Sequence, residues 1–177
     1  MMKIIKKIRS IIILILLAVS GILIIVYLAG YKVNTTKSIP IGIYQESSKT
    51  PDKYDYVLFC PPDIEIFREA KRRGYINTGI CPDSYGYLMK KIMAKGGDIV
   101  TLTEQGVFVN AELLAFSTPL KTDSYGRELP TLRLNQILKP TEVLLMSDVS
   151  ETSFDARYFG ILESKQIKGV ITPVLIF

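Results

Sequence analysis

Between Ile11 and Tyr31 the chain carries no charged residue, and most positions are Ile, Leu or Val. At about 1.5 Å of rise per residue, a helix over this stretch spans the roughly 30 Å hydrocarbon core of a bilayer. That one feature divides the chain into a basic segment over residues 1–10, a transmembrane anchor over 11–31 and a single extracytoplasmic domain over 32–177. Lys3, Lys6, Lys7 and Arg9 precede the run with no acid among them. By the positive-inside tendency the N-terminus stays in the cytoplasm. The alternative is a cleaved secretory signal peptide, with Ala18-Val19-Ser20 as the small-residue site. The apolar run continues past that site to Tyr27 and Leu28, which favours a retained anchor. Either way the remainder lies outside the cytoplasm, where disulfides persist.

The formal charge of +5 follows the same division. Setting aside the four basic residues of the first ten leaves 18 of the 22 against 17 acids. The domain is thus nearly neutral and offers no basic face for a nucleic-acid partner. The later run Lys71-Arg72-Arg73 reads as a solvated helix face. The chain contains no histidine and two cysteines. This excludes a Ser-His-Asp triad, a Cys-His pair, and His-ligated or Cys-rich zinc sites. No metal or cofactor is expected. A nucleophilic enzyme of this composition must draw its base from Lys, Asp, Glu or Tyr.

Patterning after the anchor predicts a mainly β domain with one small helical insertion over about 60–84. Residues 32–37 read as a short polar linker. Tyr54–Cys60 reads as a strand ended by Pro61-Pro62. Ile64, Phe67 and Ala70 or Lys71 carry helical spacing over 63–74, and Gly74 is placed to end that helix. Cys60 and Cys81 bracket the insertion; a disulfide would tie its base together, and two independent thiols are the alternative. Ile99–Thr103 and Val107–Asn110 flank Glu104-Gln105-Gly106 as a hairpin. Residues 117–135 read as polar loop, and Val143–Ser147 and Gly169–Ile176 as strands.

Two residues could form a nucleophile and its base. A serine hydroxyl needs a base to remove its proton, and a lysine can serve only when neutral, a state that apolar burial favours. Lys90 lies between Tyr87-Leu88-Met89 and Ile92-Met93; a solvent-facing position beside Lys91 fits the same pattern. Ser38 precedes Ile39-Pro40, which fits an ordinary turn equally well. Gly42 permits close approach of another backbone, a substrate's included. Asp155 and Arg157 could be an ordinary ion pair.

Three separated segments nevertheless resemble, in order, the conserved boxes of the signal-peptidase family. They are Ser38-Ile39-Pro40-Ile41-Gly42-Ile43-Tyr44, Tyr87–Ala94 followed by Gly97-Asp98, and Ser153-Phe154-Asp155-Ala156-Arg157-Tyr158-Phe159-Gly160. The chain departs from general signal peptidases, which have Ser-Met-x-Pro at the nucleophile and Gly-Asp-Asn ahead of the last box. Its cysteine-bracketed insertion and Asp123-Ser124-Tyr125-Gly126-Arg127-Glu128-Leu129-Pro130 resemble the TraF-type conjugative-transfer peptidases. One further departure is Gly160-Ile161, where a proline often follows the glycine.

The resemblance implies a serine endopeptidase with a Ser-Lys dyad. Ser38 stands at the nucleophile and Lys90 at the general base, eight residues before Asp98, with Lys91 its basic neighbour. Ser153 stands where a hydroxyl orients the lysine, and Asp155 and Arg157 where a structural pair supports the site. Thr36 stands where a hydroxyl helps bind the oxyanion, beside the Ser38 N–H. It also implies a bacterial inner-membrane location, with the peptidase domain in the periplasm. The partners it implies are the membrane, a precursor substrate such as a conjugative pilin, and proteins of a type IV secretion channel. Cyclisation of the product by transpeptidation stays open beside hydrolysis. A general signal peptidase and a non-enzymatic bitopic scaffold of such a channel are the competing readings.

Overall fold

The computed structural model describes residues 2–177, with side chains from Ile5 onward. Helix α1 covers Met2–Leu28, and its apolar part, Ile5–Leu28, is not buried by the domain; only its last turn meets it, where Lys32 Nζ lies 5.0 Å from the Tyr27 ring centroid. It is long and apolar enough to cross a membrane, as a single-pass anchor requires. The sequence pattern carries the anchor to Tyr31, yet the helix stops three residues earlier. Gly30 takes a left-handed φ of +80°, and Tyr31–Asn34 then forms strand β1. Part of the expected 32–37 linker is therefore sheet. Inter-strand hydrogen bonds to Gly42–Ser47 (β2) outweigh the polar composition of those residues.

The domain is built on two antiparallel sheets. The larger contains β1, β2, Tyr56–Phe59 (β3), Leu88–Lys95 (β4), Glu142–Met146 (β9), Leu162–Glu163 (β10) and Ile167–Ile176 (β11). Its spatial order is β1-β2-β11-β3-β4-β9-β10, so the C-terminal strand inserts between β2 and β3. The smaller sheet, β7-β6-β5-β8, consists of Ile99–Thr103 (β5), Gly106–Val109 (β6), Glu112–Leu113 (β7) and Leu134–Ile137 (β8). The expected hairpin is β5–β6, with Thr103 opposite Gly106 across Glu104-Gln105. Strand β8 falls partly inside the expected loop 117–135. Its residues are mostly exposed, so no alternation marked it; pairing with β5 creates it. The main core lies on one face of the large sheet, where Val57, Phe59, Ile92, Ala94, Leu144 and Val170 are buried together.

The insertion holds helix α2, Glu65–Arg72. Gly74 ends it in a left-handed turn, with the Tyr75 N–H donating to Ala70 O and the Gly74 N–H to Lys71 O, so two orphan carbonyls are satisfied. Phe67 and Ala70 face the core, and Arg72 pairs with Glu65 and Glu69 in solvent; the rest of the run departs from a solvated face, since Lys71 donates to the carbonyls of Asp83 and Ser84 and half-buried Arg73 pairs with Glu69 and donates to Glu128 O. Cys60 and Cys81 form a disulfide with Cα atoms 5.5 Å apart. Closing the 21-residue span between them is worth about 3 kcal/mol in the chain-entropy account.

Gly42 has a structural explanation. A Cβ there would sit 2.1 Å from the backbone oxygen of Leu175, where β11 presses against β2. The close backbone is the chain's own and not a substrate's. Gly42→Ala is expected to lower stability by about 1–3 kcal/mol through this overpacking. Urea unfolding of the two proteins side by side checks it; equal midpoints would refute the steric account.

Candidate active site

Strand alternation sorts the two adjacent lysines. On β4, Lys90 lies opposite Val57 and Lys91 opposite Tyr56. Lys90, Ile92 and Ala94 are buried in alternation, and Lys90 is 1% exposed. Lys91 emerges on the other face. There its ammonium makes an ion pair with Asp148 at 2.7 Å and lies 5.1 Å from the Tyr56 ring centroid. Lys91 is thus anchored as a cation. Lys90 Nζ donates no hydrogen bond and makes no ion pair among the described residues. Burial pushes Lys90 down to about 8; the Asp155 carboxylate opposes this and the Arg157 guanidinium adds to it.

The Asp155–Arg157 pair is buried completely and is bidentate, Nε to Oδ1 and Nη2 to Oδ2, both at 2.8 Å. Asp155 also caps the short helix α3 (Ala156–Phe159) by accepting from the Arg157 N–H, and accepts from the Ser147 N–H at 3.1 Å. The remaining guanidinium hydrogens donate to the carbonyls of Phe116, Thr118, Ser150, Glu151 and Ser153. One side chain therefore gathers the 116–118 loop and the 150–153 turn around it. Such full satisfaction is what lets two charges stay in a core. Ser153 differs: its Oγ is buried and has no hydrogen-bond partner among the described residues.

Ser38 occupies the turn between β1 and β2, half-buried. The next residue, Ile39, is fully buried against Leu58 and Ile171, with Met89 also packed on that cluster. The turn that carries Ser38 is thus seated on β3 and β4, beside the residue that precedes Lys90. No hydrogen bond joins Ser38 to Lys90 or Ser153 among the described residues. Thr36 is exposed, and its hydroxyl donates to Asn34 Oδ1 at 2.9 Å. A hydroxyl has one hydrogen, so Thr36 must leave Asn34 before it can donate to an oxyanion.

Sequence reasoning missed the polar residues that frame these positions. Asp148 receives both the Tyr56 hydroxyl, at 3.0 Å, and Lys91. Its position shortly before the Asp155 box was the only available signal. Tyr44, part of the first box but given no role there, donates its hydroxyl to Pro40 O at 2.6 Å. Asn34 lies inside the stretch 32–37 read as linker, where no pattern marked it. Two surface clefts of about 490 and 470 Å³ flank Tyr75, Leu129 and Phe154, and neither has Ser38 or Lys90 in its wall.

A family model described as signal peptidase, peptidase S26, matches residues 2–176. The chain is 54% identical over 150 residues to a plasmid transfer protein TraF of Escherichia coli, covering 84% of each. It is 31% identical over 163 residues to the conjugal transfer protein TraF of Agrobacterium fabrum, covering 91% of each. Among solved structures, a signal peptidase I of Enterococcus faecalis aligns at a TM-score of 0.41 and 18% identity, over 71% of this chain and 100% of that one. With the match running almost from end to end, the chain belongs to the peptidase S26 signal-peptidase family and is a TraF-type member of it.

Proposed function

We propose that this chain is a membrane-anchored serine endopeptidase that processes a conjugative pilin precursor with Ser38 and Lys90. The observation that carries the reading is the state of Lys90. It is a buried lysine with no hydrogen-bond or ion-pair partner, lowered to about 8, beside a charge pair whose own needs are met. A purely structural lysine would be exposed or paired, as Lys91 is. The unpartnered Ser153 hydroxyl supports the same reading, because an orienting group must have bonding capacity left.

In this scheme neutral Lys90 takes the Ser38 proton as Oγ attacks the scissile carbonyl. The Ser38 N–H donates to the developing oxyanion, with Thr36 as second donor once it turns from Asn34. The Lys90 ammonium then protonates the leaving amine, and the peptide remains as an ester on Ser38. Lys90 next activates the incoming water, which hydrolyses the ester. An amine of the substrate entering in place of water would give a cyclic product. Cytoplasmic residues 1–10 and a periplasmic domain complete the topology. Only Ala29 and Gly30 separate α1 from β1. The four residues of β1 rise about 13 Å, which keeps Ser38 near the membrane surface. A precursor held by its own apolar segment would meet it there at raised effective concentration.

Co-expression with a candidate conjugative pilin precursor, followed by mass, tests this. Conversion is expected with the native chain and is lost in Ser38→Ala. Processing that survives Ser38→Ala would reject the nucleophile. An intact pilin alongside cleaved secretory leaders would favour a general signal peptidase.

A further inference from the structure

The turn that carries Ser38 is organised around a single side chain. Asn34 is the last residue of β1 and is paired in the ladder with Gly42, the first residue of β2. The chain between them leaves the sheet and returns. Asn34 is 3% exposed, and its carboxamide points into this loop. Its two Nδ2 hydrogens are shared among the carbonyls of Thr36 at 2.8 Å, Ile39 at 2.9 Å and Pro40 at 3.0 Å. Its Oδ1 accepts from the Thr36 N–H at 3.1 Å and from the Thr36 hydroxyl. The contacts fall on both sides of Ser38, so they fix the backbone entering and leaving it.

We propose that Asn34 is the positioning residue of the nucleophile turn: it sets the direction of Ser38 Oγ and of the Ser38 N–H without touching substrate. The proposal rests on Ser38 being the nucleophile. The chemistry selects asparagine. A carboxamide supplies two hydrogens and an acceptor oxygen on one short stem. Aspartate has the same shape but no hydrogens for three carbonyls, and its charge would face their oxygens. A second latch works with the first. Pro40 O also accepts from Tyr44, whose phenol is pushed up to about 12 by burial and by Asp148, so it stays a donor across the working range. The sheet holds both latches: Tyr44 is fully buried, and Gly42 is wedged under Leu175. A small misplacement of a reacting atom is enough to cost up to about 100-fold in rate.

The test uses the full-length chain in detergent with the same pilin precursor, comparing native protein, Asn34→Asp, Asn34→Ala and Ser38→Ala. Single-turnover cleavage at saturating precursor separates the rate constant from the active fraction. Asn34→Asp is expected to lower the rate constant about 10–100-fold, with KM within about twofold, the active fraction unchanged and the acid limb of the pH profile still near 8. A residue that only helps the domain fold would lower the active fraction and leave the rate constant as it was. That result, or a native rate constant in Asn34→Asp, overturns the proposal. Asn34→Ala, which also removes the acceptor, is expected to be at least as slow as Asn34→Asp; a faster rate than Asn34→Asp counts against the carboxamide argument. Cleavage persisting in Ser38→Ala would instead remove the functional reading on which the proposal stands.

Discussion

Lys90→Met is expected to abolish precursor processing and, at the same time, to make the folded domain more stable at neutral pH. Loss of the base should lower the rate on the order of 10⁴-fold or more. The stability gain comes from the same burial that the proposed mechanism relies on to keep the lysine neutral. Lys90 sits among Val57, Ile92 and Ala94 with its ammonium unpaired, so the fold opposes its charge. Its ordinary value of 10.5 falls to about 8. At roughly 1.4 kcal/mol per pKa unit, that penalty is about 3 kcal/mol. Methionine fills a similar volume without a charge to bury.

The pH dependence fixes the sign. Below about 8, Lys90 is protonated both folded and unfolded, and the full penalty is present. Between about 8 and 10.5 the unfolded chain holds more protons than the folded one, so stability gains with rising pH. Above 10.5 both states are neutral and the penalty is gone. Lys90→Met should therefore unfold later than the native chain at pH 7, with the gap closing by about pH 10.5. Processing by the native enzyme should rise about tenfold per pH unit up to about 8 and then level. Urea unfolding at several pH values and a rate profile over the same range measure both. A Lys90→Met domain no more stable than native at pH 7, or a rate flat from pH 6 to 9, would contradict the buried-base account.

Removing either member of the Asp155–Arg157 pair should have the largest effect on folding. Arg157→Ala leaves a buried carboxylate, and the five carbonyls from 116 to 153 lose their donor. Breaking a buried pair in this way costs about 3–5 kcal/mol. That is a large share of the roughly 5–15 kcal/mol that holds a typical domain together. For a domain of this size the melting temperature should drop by about 10 °C or more. Arg157→Lys should recover little, since an ammonium cannot reproduce the bidentate fork or reach carbonyls on two separate loops. Calorimetry on the three proteins decides it. A melting temperature within a few degrees of native in Arg157→Ala would mean the network contributes little.

The sequence was legible where a local pattern has only one physical outcome. Twenty uncharged apolar residues must be a membrane-length helix, and the absence of histidine leaves few bases for a serine. Gly74 could be read as a helix stop because a left-handed residue is needed there. The β5–β6 hairpin was read from its alternation and turn. Strands β1 and β8 were not, because their residues look like linker and loop until a neighbouring strand pairs with them. Gly42 was correctly singled out as a site of close approach, but only the path of β11 shows that Leu175 is what approaches.

The candidate site divides in the same way. Taken alone, the sequence determined the membrane-length apolar helix, the mainly β class and the exclusion of histidine chemistry, because these depend on composition and on periods of a few residues. The family register pointed to Lys90, but its burial and the ion pairing of Lys91 belong to the tertiary structure. Both are lysines in one strand, and the difference arises only when one face of β4 is buried in the core with Val57 and Ile92 and Asp148 reaches the other. The same holds for Asn34 and for the Asp155–Arg157 network. Their partners lie on separate loops, and whether a polar group is satisfied, strained or left free is settled only when folding brings those loops to hydrogen-bond distance.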